Sequence, residues 1–485
     1  MQSTPSSIKL TQSMGPKILV TLGPSTSSID VIREMIKQGV SGFRLNFAFG
    51  TPETWSSYIK YVREASSALD TVVSIIGDIP GPQVRTTGVE SISLSKDDIV
   101  VVTYVDLADE YKRLGKVIPV DRRELFEILQ PGDTILYGDG EVELRVIEAS
   151  VDHAKCITVN PGVLKPGRKI VVPGKELPTS FLSTRDIELI KYACSEDLTY
   201  IALSYVRSEK DVLFVRDLLR QFKCNIGLIS KIETPGGLRN AEKIAEVSDA
   251  LLVARGDLGV HFPIESIPLL QDRVVQVAVK HGVPVIVATD VLESMIESNR
   301  PSRSDVVGLY NIVYSLVDAV LLTNETSIGK YPVEAAKWAR VIISTALSNM
   351  QHVLVEEFRR KISSESLIEK YAQGLIHLAE SLGGAIIVYS KTGRMVPLLS
   401  RHRPLTPVYI GSWSRKLMER ATIYYGLNPV DLSSKLSETV DYERGVEEVY
   451  SKLRDLGVIK IGDIVVKSYS KPVVNQHEIR VEVVV

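Results

Sequence analysis

Short apolar runs alternate with amphipathic stretches from residue 15 to about residue 348 of the 485-residue chain. Near-continuous apolar runs are typical of parallel strands that are buried on both faces of a sheet, and the stretches between them have the period of helices. Eight repeats of strand and helix predict a (β/α)8 barrel, an α/β fold. The predicted strands are 17–23, 42–48, 73–79, 200–205, 226–232, 250–255, 283–289 and 319–323. The clearest predicted helices are 28–38, 185–196, 208–221 and 267–281.

One long segment, 87–182, interrupts this repeat between the third and the fourth predicted strands. It is rich in Val, Asp and Gly and contains short strand-like runs at 98–104, 134–137, 141–147 and 154–160. We therefore predict a small β domain that is inserted at the C-terminal face of the barrel, where barrel active sites lie. A mobile domain over that face can act as a lid.

A third unit begins at about residue 349. Its strand-like runs at 385–389, 407–410, 463–467 and 478–485, and its helical stretch at 439–456, predict a separate α/β domain. A chain of this length is expected to form about three domains. The expected organisation is a loose N-terminal segment (1–14), a catalytic barrel (15–86 and 183–348), an inserted β lid (87–182) and a C-terminal α/β domain with a possible regulatory role (349–485).

The composition is that of an ordinary globular protein, with 44% hydrophobic and 24% charged residues. The net charge of −2 gives no reason to expect nucleic acid or an anionic membrane as a partner. The sequence has no apolar run of about 18 residues that could span a membrane and no apolar signal core at its N-terminus. We therefore expect a cytoplasmic protein.

The three cysteines, Cys156, Cys194 and Cys224, are scattered and have no CxxC spacing. This spacing argues against a disulfide framework and against a zinc site. We expect half-buried free thiols in a reducing compartment.

The stretch 226–257 reads as strand, helix and strand, with charged residues at both strand ends. Lys231 and Glu233 are two residues apart, so their side chains point the same way. Sequential parallel strands usually lie side by side, about 4.8 Å apart, so Glu233 and Asp257 can converge on one hard cation. Two carboxylates for Mg²⁺ with a lysine beside them suit a site that handles a phosphate. Spacing alone also allows ordinary solvated loop charges here.

Polar residues that end the predicted barrel strands should line one mouth. Acids, a lysine and arginines at one mouth suit a phosphorylated carboxylate, because guanidinium groups match carboxylate and phosphate oxygens and a lysine offers a compact charge to a transferring phosphoryl group. The alternative is that the arginines are solvated rim charges. The strand-end residues are Arg44, Asn46, Asp78, Arg85, Ser204, Arg207, Lys231, Glu233, Arg255, Asp257, Thr289, Asn324 and Glu325.

Several motifs resemble the pyruvate kinase family, over nearly the whole chain and in the same domain order. The strongest are SKIETPGGL at 230–238 and ARGDLGV at 254–260, and the others are RLNF at 44–47, GDIPGPQVRT at 77–86, VATDVLESM at 287–295, NRPSRSDV at 299–306 and ETSIGKYPVEAA at 325–336. The resemblance implies transfer of a phosphoryl group from phosphoenolpyruvate to ADP, giving pyruvate and ATP, as in the last step of glycolysis. It also implies a homotetramer.

The resemblance implies a role for each residue of the substrate site. Glu233 and Asp257 would hold Mg²⁺ or Mn²⁺, Lys231 would stabilise the moving phosphoryl group and the enolate, and Arg44 would hold the phosphate. The backbone of Gly256 and Asp257 would receive the substrate carboxylate at a helix N-terminus. The remaining implied roles are a position for Thr289 beside the carbon that gains a proton, nucleotide binding for Arg85, Arg168 and Asn46, and a lid acid at Asp139.

The potassium site of the family is only partly present. Asn46, Asp78 and the carbonyl of Ile79 could still hold K⁺, but Ala48 replaces a serine whose hydroxyl is a ligand in the family. Potassium-independent members tend to carry a lysine where this chain has Gln83, so Gln83 fits neither group. We expect weak or absent dependence on potassium.

Two further departures and one further motif bear on regulation and specificity. Phe49 replaces a family histidine, and Asp290 a glutamine, which leaves the preferred nucleoside diphosphate open. The motif YSKTGRMVPLLSRHRP at 389–404 resembles the family's effector-phosphate loop. A phosphorylated effector and an ordinary strand-to-helix turn are both compatible with it. The candidate effector residues are Ser390, Lys391, Thr392 and Arg394.

An active pyruvate kinase is the favoured interpretation. A catalytically weak paralogue that binds phosphoenolpyruvate as a regulator is an alternative, because residues 48–49, 79–83 and 290 differ from the family. A Mg²⁺-dependent barrel lyase or aldolase acting on pyruvate is a third, which the inserted segment disfavours.

Overall fold

The computed structural model describes residues 14–88, 91–350, 352–364, 366–471 and 476–485. The expected loose segment 1–14 therefore falls almost entirely outside the described residues. The strands, in chain order, are β1 (Lys17–Thr21), β2 (Val40–Asn46), β3 (Ser74–Ile79), β4 (Val84–Arg85), β5 (Ile92–Leu94), β6 (Ile99–Tyr104), β7 (Lys116–Val120), β8 (Thr134–Tyr137), β9 (Val142–Ala149), β10 (His153–Asn160), β11 (Gly162–Leu164), β12 (Lys169–Val171), β13 (Tyr200–Leu203), β14 (Gly227–Ile232), β15 (Ala250–Ala254), β16 (Val285–Ala288), β17 (Ala319–Leu322), β18 (Ala385–Tyr389), β19 (Val408–Ser412), β20 (Leu427–Asp431), β21 (Ile464–Lys471) and β22 (Gln476–Val483).

The α-helices of the described ranges include short single turns as well as the long helices of the barrel. In chain order they are α1 (Ile29–Lys37), α2 (Pro52–Ala68), α3 (Ala108–Tyr111), α4 (Glu124–Ile128), α5 (Thr184–Ser195), α6 (Glu209–Gln221), α7 (Pro235–Arg239), α8 (Ala241–Val247), α9 (Arg255–His261), α10 (Ile267–His281), α11 (Arg303–Tyr314), α12 (Asn324–Ser327), α13 (Pro332–Ser348), α14 (His352–Arg360), α15 (Leu367–Leu382), α16 (Met395–Ser400), α17 (Arg415–Ala421) and α18 (Tyr442–Asp455).

Eight parallel strands close a barrel in the order β1-β17-β16-β15-β14-β13-β3-β2, which confirms the predicted (β/α)8 fold. Strands such as β1, β3 and β14 are buried at every position, as expected when helices cover the outside and side chains fill the inside. Helix starts follow local signals: Ser183 and Asp186 form a reciprocal capping box at α5. Because the interior is packed, the C-terminal ends of the strands are left as the place for a site.

The inserted segment forms a sheet in the order β4-β12-β8-β9-β10-β6-β7, here called the inserted sheet, with its own apolar core. The four strand-like runs predicted in this segment correspond to β6, β8, β9 and β10. The five-residue strand β7 and the very short strands β5, β11 and β12 were not predicted, and neither was β4, which lies just before the predicted start of the segment at residue 87. Strand β4 leaves the barrel directly after β3, so the inserted sheet begins at the C-terminal ends of the barrel strands. This connection places it beside the predicted mouth.

The C-terminal unit contains a five-stranded sheet in the order β20-β19-β18-β21-β22, in which β22 is antiparallel to β21. It closes the opposite end of the barrel, where the Tyr200 hydroxyl donates to the carbonyl of Arg420, 2.8 Å away. A buried ion pair also joins the two units: Arg403 and Asp318 are each 2% exposed, with Nη2 2.7 Å from Oδ2. The barrel end away from the mouth therefore packs against the C-terminal unit and serves a structural role.

The expectation of free thiols is wrong for two of the three cysteines. Cys194 and Cys224 form a disulfide with their Cα atoms 5.7 Å apart, whereas Cys156 is free and buried. The two residues are 30 positions apart in the sequence, and the βα repeat brings the ends of α5 and α6 side by side, which Cys spacing does not reveal. No helix in the described ranges is long and apolar enough to cross a membrane.

Candidate active site

Lys231 lies at the centre of a buried charge cluster at the end of β14. Its ammonium is 2.7 Å from the Ser204 hydroxyl, 3.0 Å from Glu233 Oε1 and 3.4 Å from Asp78 Oδ1. Burial lowers the pKa of Lys231, but the charges of Asp78 and Glu233 outweigh it and raise the pKa above its usual value. The side chain therefore stays a cation at the mouth, as a phosphate site requires.

Arg44 and Asp78 lie on neighbouring strands, because Asn46 on β2 is in register with Asp78 on β3. Arg44 Nε donates to Asp78 Oδ2 at 2.7 Å, and Arg44 Nη1 donates to the Thr21 hydroxyl at 3.1 Å. Burial tends to raise the pKa of Asp78, but the nearby charges of Arg44 and Lys231 outweigh that effect. The pKa of Asp78 therefore lies below its usual value. Asp78 thus holds both cations at one place.

Glu233 is completely buried, and only one of its carboxylate oxygens has a donor. The backbone N–H of Tyr205 donates to Oε2 at 2.8 Å, whereas Oε1 touches the Lys231 ammonium without a well-aligned hydrogen bond. Burial raises the pKa of Glu233, the charge of Lys231 lowers it and the charge of Asp257 raises it. The net pKa of Glu233 is about 7. A buried carboxylate with one oxygen free of backbone donors, beside a second acid, is suited to a cation.

Asp257 lies in the first turn of α9, directly after β15, and the inserted sheet supplies its partner. The Lys169 ammonium is 2.7 Å from Asp257 Oδ1 and 2.8 Å from Asp139 Oδ1. Burial alone would raise the pKa of Asp257, but Lys169 and Lys231 lower it below its usual value. The sequence motifs pointed to Asp139 and Asp257, whereas no sequence signal pointed to Lys169, which contacts both.

A divalent cation fits these residues. No group of three or more His, Cys, Asp or Glu side chains in the described part of the chain is placed to hold a metal. Mg²⁺ needs fewer protein ligands, because it usually keeps waters and binds one or two carboxylates together with substrate phosphate oxygens. The Glu233 and Asp257 carboxylates match that donor set.

Comparisons with known proteins decide the family. A family model described as "Pyruvate kinase, barrel domain" matches residues 14–336, and one described as "Pyruvate kinase, alpha/beta domain" matches residues 369–478. This chain belongs to the pyruvate kinase family. Pyruvate kinases are phosphotransferases that generally use Mg²⁺ and act on phosphoenolpyruvate and ADP.

Curated relatives match almost from end to end. The pyruvate kinase of Aeropyrum pernix is 36% identical over 94% of this chain and 96% of its own length. That of Thermococcus litoralis is 32% identical over 94% of this chain and 95% of its own length. The crystal structure of pyruvate kinase from Pyrobaculum aerophilum superposes with a TM-score of 0.84 at 30% identity, covering 98% of this chain and 100% of that chain. These matches support a pyruvate kinase function and do not favour the non-catalytic regulator.

The backbone at the end of β16 is held in an unusual conformation. Thr289 and Asp290 have φ values of 68° and 52°, in the left-handed region that residues with a Cβ rarely adopt. Arg255 Nη2 donates to the carbonyls of both residues, at 2.7 Å for Asp290. The Gly256 N–H donates to the Thr289 hydroxyl at 2.8 Å, so this predicted carboxylate donor is already engaged.

Two of the residues predicted to bind nucleotide, Arg85 and Arg168, have partners close to them in the chain or in the inserted sheet. Arg85 donates to the Gly167 carbonyl at 2.7 Å and to Gln83 Oε1 at 2.5 Å. Arg168 pairs with Glu141 inside the inserted sheet. The structure thus places the neighbouring Lys169, and not Arg168, in contact with the barrel acid.

The side-chain oxygens expected to bind potassium, those of Asn46 and Asp78, have protein partners. Asn46 Oδ1 accepts from the Ala48 N–H at 3.1 Å. Both Asp78 oxygens face cations, Arg44 at 2.7 Å and Lys231 at 3.4 Å. A monovalent cation bound at this place would compete with these partners.

Proposed function

We propose that this chain transfers the phosphoryl group of phosphoenolpyruvate to ADP with the residues around Lys231, and that it is not a binding-only paralogue. The observation that carries the proposal is the convergence of the Lys231 ammonium, the buried Glu233 carboxylate and Asp257 at the barrel mouth. A divalent cation held by Glu233 and Asp257 would neutralise negative charge on substrate oxygens. In this proposal the barrel (15–86 and 183–348) is the catalytic domain, residues 87–182 form the lid, and residues 349–485 form a C-terminal domain with a possible regulatory role.

Each cation has a distinct task in this proposal. The substrate phosphate meets the guanidinium of Arg44, whose orientation is fixed by Asp78. Lys231 faces the phosphoryl group as it leaves the enolate oxygen, where charge develops in a water-poor site and fixed charges act strongly. The phosphoryl group moves to a terminal oxygen of ADP, and the enolate carbon then takes up a proton. The Thr289 hydroxyl accepts from the Gly256 N–H and donates to the Ala288 carbonyl, which fixes its position. In this proposal it lies on the side of the enolate from which the carbon takes up the proton.

The coupled assay tests this proposal. We expect pyruvate to form from phosphoenolpyruvate only when ADP and Mg²⁺ are both present, as followed by NADH oxidation through lactate dehydrogenase. Adding K⁺ to a sodium-only assay should change the rate less than about twofold, because the Asp78 oxygens are held by protein cations.

Pyruvate release without ADP would instead support the lyase, and binding of phosphoenolpyruvate without turnover would support the regulator. A many-fold acceleration by K⁺ would contradict the proposed potassium independence without affecting the phosphotransferase assignment.

A phosphorylated effector is proposed to bind the C-terminal unit. A cavity of about 400 Å³ there is lined by Ser390, Thr392 and Arg394. The Ser390 hydroxyl accepts from the Gly393 N–H at 3.1 Å, which closes a turn of the kind that binds anions. Lys391 lies nearby, with its ammonium 5.2 Å from the centre of the Tyr442 ring.

We expect a sugar phosphate or nucleoside monophosphate to shift the half-saturating phosphoenolpyruvate concentration by at least about twofold, a typical lower limit of coupling between sites. Arg394→Ala should abolish that shift, and the exposed Lys435→Ala should retain it. If no phosphorylated compound changes the saturation curve, the effector proposal fails.

A cytoplasmic homotetramer completes the proposal. Large apolar side chains are exposed on outer barrel helices, with Leu269 72% and Val307 59% exposed. Strand β22 is an edge strand with Val481 and Val483 exposed. Such surfaces are typical of subunit contacts, and a monomer in sedimentation velocity would contradict this assignment.

A further inference from the structure

The disulfide between Cys194 and Cys224 joins two neighbouring loops at the barrel end away from the mouth. Cys194 lies in the last turn of α5, just before the loop that leads to β13, and Cys224 lies in the loop between α6 and β14. Both residues are half-buried and pack against the barrel core. The disulfide therefore connects residues 196–199 with residues 222–226, here called the bridged loops.

Both bridged loops turn through the same unfavourable backbone conformation. Asp197 and Lys223 each follow the end of a helix, with φ values of 46° and 53°, in the left-handed region that residues with a Cβ rarely adopt. Glycine is the usual residue at this position because it has no Cβ. Neither loop has a glycine there, so each depends on its surroundings to keep its shape. The disulfide is attached close to both turns.

Helix α17 of the C-terminal unit contacts both bridged loops. The Lys416 ammonium is 2.7 Å from Asp197 Oδ1 and 2.7 Å from the Leu198 carbonyl oxygen. Arg420 Nη2 donates to the side-chain oxygen of Asn225 at 2.8 Å. Lys416 and Arg420 are one turn apart and lie on one face of the helix. The distance between the two loops therefore has to match the distance between two cations on one helix.

A further contact between the same two units does not involve the bridged loops. Lys452 of α18 is 3.0 Å from Asp70 Oδ1, in the loop between α2 and β3. Its ammonium also donates to the Asp431 carbonyl at 3.1 Å. This contact joins the barrel to the C-terminal unit at a place that the disulfide does not reach, so it offers a matched comparison.

We propose that the disulfide is a redox-sensitive clip, which holds the bridged loops at the spacing that helix α17 requires. Its reduction by a dithiol loosens the junction between the barrel and the C-terminal unit. A thiolate of the dithiol attacks one sulfur of the disulfide and forms a mixed disulfide, and the second thiol of the dithiol then releases the protein. The S–S bond is replaced by thiols at Cys194 and Cys224, and the dithiol becomes a disulfide. In the cytoplasm proposed above, thiols are usually kept reduced, so the clip meets such dithiols.

A count of thiols in the unfolded full chain measures whether the clip forms. After equilibration with oxidised glutathione, one thiol, that of Cys156, should react with a chromogenic disulfide reagent. After treatment with dithiothreitol and desalting, all three should react. Three reactive thiols in both samples would overturn the proposal, because the clip would not exist.

Hydrogen exchange over residues 197–200, 222–226 and 415–421 measures the loosening. In the unaltered chain, dithiothreitol should speed exchange there about threefold or more, because local opening costs less free energy once the loops are no longer joined. The double variant Cys194→Ser, Cys224→Ser should exchange at the fast rate without reductant and should not respond to it. Equal exchange in the oxidised and the reduced unaltered chain would overturn the clip, and that comparison requires no variant to fold.

Two lysine variants decide whether the clip acts through α17. Lys416→Met removes a contact on a bridged loop, so the effect of reduction on exchange over residues 415–421 should fall to less than about half, because coupled contacts are not additive. Lys452→Met removes the contact away from the bridged loops and should leave the effect of reduction unchanged. An undiminished effect in Lys416→Met would show that the disulfide stabilises the barrel alone, and would overturn its role at the junction. None of these measurements depends on turnover, so their outcome is independent of the proposed function.

Discussion

Replacing Lys231 by methionine should lower kcat/KM for phosphoenolpyruvate about a thousandfold, which corresponds to about 4 kcal/mol of transition-state stabilisation. The Lys231 residue is 8% exposed and its ammonium touches Ser204 and Glu233, so no other cation of the protein replaces its charge at that point. Methionine keeps much of the length of the lysine stem, and Asp78 retains Arg44 as a partner. The loss should therefore appear mainly in kcat, measured by the coupled assay.

A control separates loss of charge at the site from general damage. Lys60→Met removes a lysine with a 69% exposed side chain on the outside of the barrel and should leave kcat/KM unchanged. Far-ultraviolet circular dichroism should show that both variants are folded. Turnover of Lys231→Met within about tenfold of the unaltered chain would contradict the role given to this residue.

Replacing Arg403 by leucine should lower the free energy of unfolding by about 3–5 kcal/mol, the usual cost of removing one partner of a buried ion pair. Arg403 and Asp318 are each 2% exposed. Arg403 Nε also donates to the Leu316 carbonyl at 2.8 Å. The substitution removes that donor and the counter-charge of Asp318, whose buried carboxylate keeps only neutral donors such as the N–H groups of Val285 and Tyr425. Guanidinium-induced unfolding, followed by circular dichroism, measures the change.

The matched comparison is an ion pair exposed to solvent. Arg33 pairs with Asp30 on α1, with side chains 34% and 80% exposed. Arg33→Leu should change the free energy of unfolding by less than about 1 kcal/mol. If Arg403→Leu were as stable as Arg33→Leu, the junction between the barrel and the C-terminal unit would not depend on this pair. Catalysis by Arg403→Leu should survive at temperatures where it is folded, because the pair lies at the barrel end away from the mouth.

Part of the site could be predicted from the sequence because it depends on local periodicity. Lys231 and Glu233 share a face by strand alternation, which brings their charged ends within reach of each other, 3.0 Å apart in the structure. The eight barrel strands are readable for a similar reason, since burial on both faces leaves almost no polar residue within a strand. The resemblance to known motifs added roles for these residues that periodicity cannot supply.

Other parts of the site depend on contacts between segments that are far apart in the chain. Lys169 and Asp257 are 88 positions apart and meet only because the inserted sheet returns over the mouth. The strands that aim Lys169, β4 and β12, have two and three residues, too few for a periodic signal. The donor to Thr289, Gly256, was predicted to be free for substrate and is instead engaged across two neighbouring strands.

The sequence by itself determined the eight-stranded barrel and the shared face of Lys231 and Glu233, because each follows from the spacing of residues along one segment. The tertiary structure alone decided which lid lysine reaches Asp257, which oxygens of Asp78 and Asn46 are already engaged, and that Cys194 meets Cys224. These contacts join separate segments, and their geometry is set by strand register and packing, which a linear pattern does not contain.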